Sequence, residues 1–91
     1  MFLKMEGERM NCDTIMAILI NKRSEAAPKV QEILTRFGCI IRVRLGVHEV
    51  DACSEEGLVL LQLCGSPEDK EQLVNELKQL KLVRVKKMSL D

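Results

Sequence analysis

The apolar residues of this chain fall into six successive segments, and their periods read strand, helix, strand, strand, helix, strand. No other feature constrains the fold as much, because the order accounts for almost all of the 91 residues and leaves no room for a second large body. Thr14–Ile20 (TIMAILI) is apolar on both faces, as a central strand covered on both sides would be. Val30, Ile33, Leu34 and Phe37 then recur at i, i+3, i+4 and i+7, one stripe of an amphipathic helix. Ser24 is placed to cap that helix, Pro28 lies in or near its first turn, and Gly38 is placed to end it in a left-handed conformation.

The run from Cys39 to Val47 alternates from Ile41 onward. Ile41, Val43, Leu45 and Val47 share one face, and Arg42, Arg44 and Gly46 share the other. His48–Gly57 (HEVDACSEEG) reads as an acidic hairpin loop. Leu58–Cys64 (LVLLQLC) is a second run apolar on both faces. Ser66-Pro67-Glu68-Asp69 then combines a cap, a proline at the first helical position and acids that complement the helix dipole. Leu73, Val74, Leu77 and Leu80 form the second stripe. Leu82–Met88 closes the chain with Val83 and Val85 inward and Arg84 and Lys86 outward.

Two crossover helices, each joining parallel strands, pack on one side of a sheet. The expected fold is therefore α+β: a ferredoxin-like βαββαβ sandwich, an antiparallel sheet of order 4-1-3-2, and both helices on one face. Residues 1–12, without a period, read as an irregular arm, and 13–91 as a single domain. The other sheet face is expected to show Met16, Ile18 and Ile20 from the first strand and Leu58 and Leu60 from the third. A patch of that kind needs cover. One cover is the N-terminal arm; the preferred one is a second copy, giving a two-fold homodimer with Arg42, Arg44, Arg84 and Lys86 at its rim.

Composition excludes more than it suggests. Fourteen basic residues balance fourteen acidic ones, so nothing in the overall charge points to nucleic acid or an anionic membrane. Phe2 and Phe37 are the only aromatics, which removes the base-stacking platforms of an RNA-recognition sheet. The loop Asn21-Lys22-Arg23-Ser24-Glu25 has no glycine, unlike an anion-cradling loop that would process acyl phosphates on this scaffold. No two cysteines are close enough for a copper-chaperone pair. Cys12, Cys39, Cys53 and Cys64 form no C-x-x-C, no secretory pattern is visible at the start, and no apolar run approaches the ~20 residues of a membrane helix. The reading is a cytoplasmic chain with four reduced thiols packed as small hydrophobes, Cys39 and Cys64 lying near each other by strand register. No cofactor and no catalytic residues are expected: His48 is the sole histidine, and its nearest thiol, Cys53, is five residues away in the acidic loop. With a second subunit, His48 and Cys53 offer an alternative, a metal site across an interface.

The stretches Ile18-Leu19-Ile20-Asn21, Val30-Gln31-Glu32-Ile33-Leu34 with Phe37-Gly38, Ile41 to Val47 and Val83-Arg84-Val85-Lys86 resemble the family of iron-only hydrogenase system regulators. These are short ferredoxin-like domains related to ACT domains and to the C-terminal domain of nickel-responsive repressors. The resemblance spans about residues 14–90 and implies a cytoplasmic homo-oligomer with a regulatory role and no catalysis. By analogy with ACT-like domains, it places a small effector near Asn21, Lys22, Arg23, Ser24 and Gly46. The chain departs from the family in its hairpin loop and at Lys81, where members often carry glycine. Of the several histidines with which the nickel-repressor relatives bind metal, only His48 has a counterpart, and no DNA-binding ribbon-helix-helix precedes the first strand.

Overall fold

The computed structural model describes residues 12–21, 23–47 and 56–90, without the side chains of residues 23, 24 and 47. Along these the order is β1 (Thr14–Ile20), α1 (Arg23–Arg36), a 3-10 turn (Gly38–Ile40), β2 (Ile41–Val47), β3 (Gly57–Leu63), α2 (Pro67–Lys78) and β4 (Val83–Ser89). The four strands make one antiparallel sheet of order β2-β3-β1-β4, the expected order read from its other edge. β1 and β3, the two runs apolar on both faces, are central.

Both helices lie over one face. Val30, Ile33 and Leu34 of α1 and Leu73, Val74 and Leu77 of α2 close a core with Met16, Ile18, Ile20, Val59, Leu61, Leu63 and Val83. α2 begins as its sequence dictates: Ser66 Oγ accepts from Asp69 N at 3.1 Å, with Pro67 at the first helical position. α1 differs from expectation at both ends. It starts at Arg23, so Ser24 lies within the helix instead of capping it, and Pro28 falls in the second turn, where the helix lacks one backbone donor. It runs on into the 3-10 turn instead of stopping at a left-handed Gly38. The one positive φ among the described glycines belongs to Gly65 (φ 99), which turns the chain from β3 into α2 against Ile40. Arg36 on α1 donates to Glu76 Oε1 on α2 at 2.9 Å, and that bond raises the guanidinium above its ordinary value. Solvent screens this tie, so packing and not charge joins the helices.

The burial pattern corrects the assignment of faces. Met16 and Ile18 are 0% exposed and Ile20 is 2%, all beneath the helices. They are core, not interface. On β1 the residues turned to the open face are Ile15, Ala17 and Leu19, a shift of one residue, which moves every side chain of a strand across the sheet. Leu58 and Leu60 do lie on the open face, opposite Leu19 and Ala17. On β2 an irregularity between Ile41 and Val43 breaks the simple alternation. Ile41 pairs with Leu63 on the helix side, while Val43 and Leu45 pair with Gln62 and Leu60 on the open side.

Candidate functional site

The open face of the sheet is the largest feature for which the chain itself supplies no cover among the described residues. Its centre is Ile15, Ala17, Leu19, Leu58 and Leu60, each half-buried by its neighbours alone. Its edges carry Val43 and Leu45 on β2 and Met88 on β4, which are 50%, 54% and 57% exposed. Among the described residues, three of the four large apolar side chains most open to water thus share one face, and the fourth, Leu90, follows β4 directly. Scattered exposed leucines need no account, but a contiguous set does.

Charge is distributed on this face in a definite way. Arg84 stands opposite Leu19 and Lys86 opposite Ala17, two cations among the described residues that the pairing places on the open side. Beside them a cavity of about 500 Å3 runs over the β4 edge, lined by Ala17, Leu19, Leu58, Lys78, Arg84 and Lys86 together with the flanks of Val83 and Val85. An apolar floor under three cations suits an anion with an apolar body, within the size range of small-molecule sites. Arg42 and Arg44, expected at the rim, are elsewhere. Arg44 pairs with Leu61 on the helix side, and Arg42 occupies the irregular position of β2.

Of the residues expected to hold an effector, Asn21 and Gly46 can be placed, the one just after β1 and the other on β2. Asn21 donates its backbone N–H to Leu82 O at 2.8 Å, tying the end of β1 to the start of β4. Gly46 sits on β2, two strands away from β1, with open space where a side chain would be. Lys22 and the side chains of Arg23 and Ser24 lie outside the described residues. A smaller cavity of about 340 Å3 does open near this end, lined by Glu25, Ala26, Lys29, Leu80, Lys81 and Leu82. Its mixed charges offer a ligand less than the β4 cavity does. His48, Cys53 and the covering arm 1–11 lie outside the described residues, and among the described residues no group of three or more His, Cys, Asp or Glu could hold a metal ion.

Two features went unread in the sequence. Cys12 and Cys64 form a disulfide across 52 residues, which removes one ground for placing the chain in a reducing compartment; Cys39 is exposed, not packed. Lys70 is 6% exposed, with its Nζ donating to Thr14 Oγ1 at 3.0 Å and 3.8 Å from Asp13 Oδ1. A signal existed for the lysine: positions 70, 73, 74 and 77 make one helical stripe, so Lys70 stands where an apolar residue would be expected. None existed for the disulfide, since connectivity does not follow from spacing.

No helix among the described residues is long and apolar enough to cross a membrane. No family model matches the chain, and no curated protein does. Among solved structures it is similar to the uncharacterized protein TM1266 from Thermotoga maritima, at 26% identity and a TM-score of 0.78, over 91% of this chain and 98% of that one. It also shares its fold with CPII from Thiomonas intermedia K12, in a structure bound to ADP, AMP and acetate, at 11% identity and a TM-score of 0.51, over 91% and 92% of the two chains.

Proposed function

We propose that this chain is a non-catalytic regulatory domain whose copies associate through the open sheet face and bind a small anionic effector at the β4 edge of that face. One observation carries the reading: Val43, Leu45 and Met88 stand half-exposed around an apolar centre that contains no charge of its own. A second copy is the occupant that this pattern fits. A two-fold axis parallel to the strands lays β4 of one copy over β2 of the other, so the aliphatic stem of Lys86 covers Leu45 and Met88 meets Val43. An axis across the strands would set β4 upon β4 and bring like charges face to face, which is costly.

The size of the contact suggests why it would be regulated. Four seven-residue strands, at ~4.8 Å spacing and ~3.4 Å per residue, present about 450 Å2 per copy, or about 900 Å2 in all. Side chains raise the accessible surface above this flat footprint, which places the contact near the low end of stable specific interfaces. A ligand in the 500 Å3 cavity would be roofed by the partner's β2 and would add buried surface to both copies. Binding and association would then be linked. The CPII structure supports the chemistry only in showing that this fold can hold nucleotides. That the regulated process is the iron-only hydrogenase system rests on the sequence resemblance alone.

Thermal unfolding in the presence of AMP, ADP and free amino acids tests the effector. At ten times its Kd a ligand adds about 1.4 kcal/mol of stability, which raises Tm by roughly 6–11 °C for a domain of this size. The expected outcome is a rise with the nucleotides that shrinks in Arg84→Ala. No shift with any of these compounds would leave an assembly role without an effector.

A further inference from the structure

We propose that Cys12, Cys39 and Cys64 form a thiol–disulfide exchange centre, in which Cys39 attacks the Cys12 sulfur and releases Cys64. All three line one cavity of about 360 Å3, whose other walls are Ile40, Ile41 and Arg42. The Cys12–Cys64 disulfide and a free, exposed thiol therefore share one small space. Three separate parts of the chain are fixed there. Cys64 N donates to Ile40 O at 2.8 Å, which holds the turn bearing Cys39 against the end of β3. Gln62 Nε2 donates to Cys12 O at 2.9 Å, and Leu90 N donates to Asp13 O at 2.7 Å, which fix the approach to β1.

The two sulfurs of the bond differ in access. Cys64 is 4% exposed, whereas Cys12 is only half-buried, so the open approach for the Cys39 thiolate is to Cys12. The Cys39–Cys12 bond forms as the Cys12–Cys64 bond breaks. Cys64 leaves with the electron pair and takes from water the proton that Cys39 gave up. The number of disulfides is unchanged, and no outside oxidant or reductant is consumed. What changes is the tether: residue 12 is tied first to the end of β3 and then to the turn after α1. This inference does not depend on the proposed effector or dimer.

The test uses the full-length oxidised chain, without reductant. It is incubated at about pH 8.5, where an ordinary thiol is half ionised, then quenched in acid, alkylated and mapped by peptide mass. The expected result is a Cys12–Cys39 linked peptide together with alkylated Cys64 in a measurable share of chains. In Cys39→Ser, an exposed substitution that leaves the core intact, alkylation of Cys64 should fall to nothing. No label on Cys64 in the unsubstituted chain, or label on Cys64 that persists in Cys39→Ser, would overturn the proposal.

Discussion

Lys70 shows how much one residue can be worth when it breaks a pattern. Its ammonium sits beneath the surface between Thr14 and Asp13, at the point where the chain enters β1. Removing the charge while keeping the stem, as in Lys70→Met, strands the polar groups it serves. We expect a loss of about 1–3 kcal/mol in urea unfolding, with no change in the slope of the transition. Gly65 is the second such residue. With φ at 99 and a Cβ position 3.1 Å from Ile40 Cγ2, Gly65→Ala meets backbone strain and a tight contact from which Ile40 must shift slightly. A loss of about 1–2 kcal/mol is the expected outcome of the backbone term alone. Neither residue is silent in the sequence: the lysine interrupts a stripe, and the glycine precedes a cap. Only the fold says what each one meets.

At the scale of elements, what the sequence made legible is what depends on local chemistry. The start of α2 is readable because Ser66, Pro67, Glu68 and Asp69 each act within one turn, and Ser66→Ala should cost about 1 kcal/mol by calorimetry or urea titration. The limits of β1 are readable for the same reason, since Asn21 ends an apolar run. Its facing is not. Ile15, Met16, Ala17, Ile18, Leu19 and Ile20 are all apolar, so the strand gives no alternation by which to tell its two sides apart. Register with β3 and the position of the helices decide that, and both are long-range. On β2 the clean alternation misled, because the irregularity near Arg42 moves Ile41 to the opposite side from Val43 and Leu45. That shift strengthens the open face by turning two apolar edge residues onto it. It also takes Arg42 away from that face and into the wall of the cysteine cavity.

For the whole molecule, the central claim is that the open face is covered by a second copy. Ile18→Glu would not test it, because Ile18 is 0% exposed and a buried charge there would unfold the core. Leu19 is the informative position: it lies on the open face opposite Leu58 and Arg84, and a carboxylate there stays solvated in the monomer. The decisive measurement is light scattering across a dilution series, on the native chain and on Leu19→Glu, each checked for fold by circular dichroism. The expected result is a dimer that dissociates on dilution for the native chain and a folded monomer for the variant. A native chain that is monomeric at every concentration, or a variant that assembles just as the native chain does, would contradict it.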